Sequence, residues 1–131
     1  DYTSDEKTTL VTGARALGAA FQKVNFLRDL AADFKKLGRS YFPGVNVESF
    51  DEATKVRLVE DIRTDLANSA KTLPLLDPAA RKAVTAAQLL FQELNEKISK
   101  TSASELISTR ISVSNARKLI LLIKSYLGAK P

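Results

Sequence analysis

The residues best suited to chemistry form a row of polar side chains between positions 22 and 33. Gln22, Asn25, Asp29 and Asp33 follow one another at intervals of three or four, which on a helix places them within about 80° of one face. The two carboxylates, at i and i+4, would lie about 6 Å apart and repel each other when both are ionised. A cation is expected at this face, and Mg²⁺ suits carboxylate ligands that act together with substrate phosphates.

The same spacing is also common on solvent-facing helices, where Arg28 or Lys36 would neutralise the aspartates. Two neighbouring features favour a ligand site. Small residues such as Gly13 and Gly18 precede the row, and they permit close helix packing or the close approach of a ligand. Arg39 follows the row, where a guanidinium can bind phosphate or cap the carboxyl end of the helix.

Composition restricts the chemistry further. The 131 residues are 44% apolar and 27% charged, a balance that is typical of one globular domain. The sequence contains no Cys and no His, which excludes disulfides, thiolate metal sites and every Ser-His-Asp arrangement. Any reaction must therefore depend on carboxylates, Arg, Lys, Tyr or a bound metal.

The formal net charge of +5 is compatible with anionic partners, but the basic residues are scattered and fit a solvated surface. With no Trp and nine Phe and Tyr in total, a platform for stacking bases is poorly supplied, and no nucleic-acid partner is expected. No apolar run reaches the ~20 residues that span a bilayer. We expect a cytoplasmic protein, at most peripheral to a membrane. Because the sequence starts at Asp1 and has no Met, we also expect it to be a piece of a longer protein.

Hydrophobic periodicity is helical throughout and predicts an all-α helical bundle. A first helix is expected to end before Gly38, a residue that tolerates the C-cap conformation. Ser49 and Glu52 have the spacing of a capping box for a second helix, and Asp77-Pro78 is a typical start for a third. The predicted helices span residues 8–37, 50–71, 78–100 and 114–127, with one or two helical turns in 104–110.

Apolar positions within these helices predict the core. The third helix should bury one face, and the last helix, which is apolar on most sides, should be buried or should lack its partner. The residues concerned are Val84, Ala87, Leu90, Phe91, Leu94 and Ile98 on the third helix, and Leu119, Ile120, Leu121, Leu122 and Ile123 on the last.

Two stretches of the sequence resemble a known family. The first reads Gln22-x-x-Asn25-Phe26-x-Arg28-Asp29-x-x-x-Asp33, followed by Arg39-x-Tyr41-x-Pro43, and is similar to the second aspartate-rich motif of squalene and phytoene synthases. The second, Arg110-Ile111-Ser112-Val113 followed by Arg117-Lys118-Leu119, looks like the C-terminal signature of that family. The resemblance covers about residues 14–126. It implies part of the isoprenoid synthase fold, with residues 1–131 as the C-terminal portion of a domain whose first aspartate-rich motif is absent here.

The resemblance also implies a function. The parent enzyme would condense two prenyl diphosphates, farnesyl or geranylgeranyl, head to head into a squalene-, dehydrosqualene- or phytoene-type product. Asp29 and Asp33 would be catalytic and would hold Mg²⁺ on a diphosphate, while Gln22, Asn25, Arg39 and Tyr41 would bind substrate. NADPH would be needed by a squalene synthase. The chain alone would be inactive and prone to self-association.

Two departures and two alternatives accompany this interpretation. The connector between Asp33 and Arg39 is one residue longer than in many relatives, and Phe91 stands where many carry Tyr, so that Phe91 could simply pack in the core. A non-catalytic relative that binds lipid or assists assembly would keep the fold, although the intact aspartates argue against it. The second alternative, a basic helical module that binds RNA or membranes, is supported by the net charge alone.

Overall fold

The structure, a computed structural model, describes residues 1–30, 50–108 and 115–128, and positions 115 and 116 by their backbone only. These ranges contain five α-helices, one 3-10 turn and no strand, which confirms the all-α prediction. The helices are α1 Ser4–Arg28, α2 Glu52–Ala70, α3 Pro78–Ser99, α4 Ala103–Ser108 and α5 Asn115–Tyr126, and the 3-10 turn is Leu73–Leu75.

α1 begins one turn earlier than predicted because Thr3 and Glu6 form a capping box. The Thr3 hydroxyl accepts from the Glu6 N–H at 3.1 Å, and the Glu6 carboxylate accepts from the Thr3 N–H at 2.8 Å. The regular helix ends at Arg28, with Asp29 as its C-cap. The predicted continuation to position 37 and the stop at Gly38 lie mostly outside the described residues.

The start of α2 corrects a second prediction. Its N-cap is Asp51, whose carboxylate accepts from the Thr54 N–H at 2.8 Å, so the capping box between Ser49 and Glu52 is wrong. The Glu52 carboxylate instead lies 2.6 Å from the Lys55 ammonium and accepts from the backbone N–H of Ala103 at 3.0 Å. The first turn of α2 is thereby tied to α4.

α3 begins as predicted, with Asp77 as N-cap and Pro78 in the first turn. It buries Phe91, Leu94 and Ile98, while the other predicted core positions on this helix are only partly buried. Two buried amides on the same helix were not predicted. Gln88 donates to the Ser69 hydroxyl at 2.7 Å, and Asn95 donates to the Val59 carbonyl at 3.2 Å.

The core lies where α1, α2 and α3 pack together, with α4 covering one end. Apart from Gln88, Asn95 and Ser69, the largest fully buried side chains of these helices and of the position that follows α1 are apolar. They include Val24, Leu27, Leu30, Leu58, Ile62, Ile98 and Leu106. This packing fixes the rotation of α1 and so decides which of its faces remains open.

Of the two alternatives predicted for the last helix, burial is observed for Leu121 alone, whereas the other four predicted residues are exposed, as expected of a helix that lacks its partner. α5 packs chiefly along α3, through the buried side chains of Leu121 and Ser125. Among the described residues, α3 is the helix with which α5 makes its extensive contact, and the outer side of α5 is exposed. The large exposed side chains on α5 and directly after it are Leu119, Ile120, Leu122, Ile123, Tyr126 and Leu127. Within the described ranges, no helix has the length and hydropathy needed to span a bilayer.

Candidate functional site

The polar row lies along the carboxyl-terminal third of α1. Gln22 is exposed, and Asn25 and Asp29 are half-buried. On the opposite side of the same turns, Val24 and Leu27 are completely buried in the core. The core contacts of α1 therefore present the row to solvent, as a binding face requires.

Asp29 is the C-cap of α1, and its carboxylate forms an ion pair with Arg28. Its carboxylate accepts two hydrogen bonds from the Arg28 guanidinium, Nε to Oδ1 at 3.1 Å and Nη2 to Oδ2 at 3.2 Å. The side chains are 29% exposed for Arg28 and 33% for Asp29. Both carboxylate oxygens thus face a planar guanidinium in the bidentate arrangement that is favourable for this pair.

Three of the predicted site residues, Asp33, Arg39 and Tyr41, lie outside the described residues. The predicted pairing of Asp29 with Asp33 therefore stays a prediction, as does the phosphate-binding role of Arg39 and Tyr41. Across residues 1–30, 50–108 and 115–128, no three acidic side chains are grouped closely enough to hold a metal ion.

The described part of the site nevertheless fits a hard cation. Asp29 supplies carboxylate oxygens, the ligand type that Mg²⁺ prefers. It also stands at the carboxyl end of α1, where the last peptide carbonyls carry partial negative charge and favour a cation nearby. The carboxylate is partly accessible to solvent, so that an ion could reach it.

Lys23 contributes to the site in a way that the sequence did not predict. It lies between Gln22 and Asn25 along the chain, but its ammonium is 2.7 Å from Asp65 Oδ2 on α2. The two side chains are 13% and 18% exposed, so this ion pair is largely buried between the helices. It helps fix the rotation of α1 about its axis. A partner 42 positions away leaves no periodic signal in the sequence.

The small residues upstream of the row have different roles. Gly13 packs so closely on Thr72 that a Cβ atom would lie 2.0 Å from Thr72 Cγ2, whereas a Cβ on Gly18 would meet nothing within 4 Å. Gly18 lies one turn before Gln22 on the open face of α1. Of the two glycines, only Gly13 confirms the predicted close helix packing.

Phe91 belongs to the core, as predicted by the interpretation that its side chain simply packs there. The ring is buried and meets the Phe21 ring edge to face, with centroids 5.5 Å apart and an interplanar angle of 63°. Such a pair stabilises the contact between α1 and α3. Since Phe21 directly precedes Gln22, the contact also supports the site.

An all-α bundle that presents an amide and carboxylate row on one long helix is consistent with the isoprenoid synthase fold. Comparison with protein families gives the particular family: the family model described as squalene/phytoene synthase matches residues 2–117 of the 131. The chain belongs to the squalene/phytoene synthase family, which is all-α, and the predicted resemblance is confirmed. Searches of curated proteins and of solved structures gave no significant match.

Proposed function

We propose that this chain forms the second aspartate-rich site of a Mg²⁺-dependent prenyl transferase that joins two prenyl diphosphates head to head. Family membership by itself supports prenyl transfer of the squalene/phytoene synthase type. The observation that carries the finer proposal is the position of Asp29. Its carboxylate ends α1 in line with Gln22 and Asn25, on the face that the core leaves open.

In this proposal each polar residue acts on a diphosphate group. Asp29 and Asp33 hold Mg²⁺, which when bound stabilises the negative charge on the departing diphosphate oxygens. Asn25 assists as a neutral oxygen ligand, and Gln22 donates hydrogen bonds to the substrate from the next turn. Arg39 and Tyr41 contact the diphosphate from the segment that follows.

The remaining parts of the proposal concern the whole enzyme. The substrates are farnesyl or geranylgeranyl diphosphate, and NADPH would serve as reductant if the product is squalene. The chain is proposed to be the C-terminal portion of the catalytic domain. By itself it would be inactive, because one aspartate-rich motif supplies only one side of the metal site.

The test is an assay of the full-length enzyme with each diphosphate, with and without Mg²⁺, followed by mass spectrometry of the hydrocarbon products. We expect a Mg²⁺-dependent product of thirty or forty carbons. Asp29→Asn should lower turnover by about 10²-fold or more, since a ligand that stabilises transition-state charge is lost. Asp61→Asn is the matched control, because Asp61 is an exposed carboxylate on α2.

The outcomes separate the alternatives. Full turnover by Asp29→Asn would remove the metal role of this residue. A folded full-length protein that converts neither diphosphate would instead favour the non-catalytic relative that binds lipid or assists assembly.

A further inference from the structure

Arg28 already binds the carboxylate of Asp29, which the proposed metal ion would need as a ligand. Its Nε and Nη2 atoms lie 3.1 and 3.2 Å from the two oxygens of Asp29, so neither oxygen is left without a cationic donor. A bidentate fork of this kind occupies one lone pair on each oxygen, and a metal ion chelated by both oxygens would need the same pair of positions.

The end of α1 favours a positive charge beside Asp29. A carboxylate at the carboxyl terminus of a helix lies next to the partial negative charge of the last carbonyls, which is unfavourable unless a cation compensates. Arg28 stands in the last turn of α1 and supplies that charge. A divalent cation on Asp29 would meet the same need.

The two cations do not combine well at one carboxylate. A guanidinium held at hydrogen-bond distance from both oxygens would lie within a few ångströms of a bound metal, and like charges at that range repel each other. The side chain of Arg28 is 29% exposed, so it can swing into solvent when it is displaced.

We infer that Arg28 is an exchangeable counterion of Asp29, which Mg²⁺ must displace in order to bind. The inference rests on the proposed function, because it takes Asp29 to be a metal ligand. Arg28 is then a positioning residue that keeps the carboxylate oriented and neutralised before the metal arrives. It also weakens the site for metal by competition, so that the site fills at a higher metal concentration.

The test is a titration of the full-length enzyme with Mn²⁺, followed by electron paramagnetic resonance of the unbound ion, with circular dichroism to verify that each variant is folded. Removing the competitor in Arg28→Gln should tighten the Mn²⁺ binding that depends on Asp29 by about two- to fivefold, the range expected from the loss of a partly exposed ion pair. Arg28→Lys keeps the positive charge but lacks the two parallel donors of a guanidinium, so its Mn²⁺ affinity should fall between those of the unchanged enzyme and Arg28→Gln.

Arg63→Gln is the matched control. This substitution also removes one positive charge. Arg63 likewise pairs with carboxylates, those of Glu60 on α2 and Glu96 on α3, but it lies outside the polar row. The Mn²⁺ affinity of Arg63→Gln should equal that of the unchanged enzyme. Asp29→Asn defines the share of binding that belongs to the site.

Each result decides between distinct conclusions. If Arg28→Gln binds Mn²⁺ no more tightly than Arg63→Gln, or more weakly, Arg28 does not compete and the inference is overturned, while the metal site of the proposed function stands. If neither the unchanged full-length enzyme nor its Arg28→Gln variant shows Mn²⁺ binding that depends on Asp29, the proposed metal site is overturned together with the inference.

Discussion

Gly13 on α1 lies against Thr72, which follows α2, so closely that a Cβ atom at position 13 would be 2.0 Å from Thr72 Cγ2. Thr72 cannot easily yield. Its side chain is buried, and its hydroxyl donates to the Ser69 carbonyl at 2.8 Å, so rotation about χ1 would break that hydrogen bond. The packing of α1 on the end of α2 therefore depends on a glycine at this position.

We expect Gly13→Ala to lower the free energy of unfolding by about 1–2 kcal/mol, because overpacking outweighs the gain in helix propensity. Gly18→Ala is the matched control on the same helix. A Cβ there meets nothing within 4 Å, so this change should raise stability by about 0.5–1 kcal/mol. Urea unfolding followed by circular dichroism measures both. A Gly13→Ala chain as stable as Gly18→Ala would contradict the close contact.

The ion pair between Lys23 and Asp65 should stabilise the fold rather than bind metal. Because the two side chains are 13% and 18% exposed, a double-mutant cycle of Lys23→Met and Asp65→Asn should give a coupling energy of about 1–2 kcal/mol. Mn²⁺ binding should be unchanged in Asp65→Asn. A coupling energy near zero would show that the pair does not hold α1 on α2.

Glu52 makes the stability of the α2–α4 junction depend on pH. The Lys55 ammonium, and next the backbone N–H of Ala103, hold the pKa of Glu52 below its ordinary value of 4.5. A carboxyl whose pKa is lowered on folding stabilises the folded state above about pH 4.5, and that contribution is lost as pH falls through the lowered pKa.

The difference in unfolding free energy between the unchanged chain and Glu52→Gln should therefore be constant near neutral pH and should shrink below pH 4.5. Asp51, whose pKa is also lowered, is present in both chains, and its contribution cancels in the difference. Denaturant unfolding at a series of pH values measures the effect. A difference that stayed constant down to pH 2.5, about two units below the ordinary pKa, would argue against the Glu52 contacts.

Leu121 and Leu122 are neighbours in sequence with opposite surroundings. Leu121 is 4% exposed against α3, whereas Leu122 is 47% exposed on the outer side of α5. Leu121→Asp should release α5 and cost at least ~2 kcal/mol, because it buries an unpaired charge. Leu122→Asp replaces the same residue types in the same helix, so its effect on helix propensity is the same. It should change stability by no more than ~0.5 kcal/mol and reduce any self-association.

Hydrogen exchange of the α5 amides and sedimentation of both chains check this pair. Fast exchange in Leu121→Asp alone is the expected result. Equal protection of α5 in the two variants would contradict the burial of Leu121.

Local features of the sequence determined the helical class and the arrangement of the described residues of the candidate site. Asp77 and Pro78 start α3 because a side-chain cap and a proline in the first turn act on the adjacent backbone. The spacing of Gln22, Asn25 and Asp29 puts them on one face of α1 by helix geometry alone. The same motif identified the family.

Contacts between distant segments decided the rest. Periodicity shows that α5 has apolar residues on most sides, but only the position of α3 selects Leu121 for burial and leaves Leu122 outside. Gly13 and Gly18 are alike in sequence and differ only because Thr72 lies opposite one of them. Composition and local spacing set the conformational preference of each segment, whereas burial depends on partners brought together by folding, and a single segment carries no record of those partners.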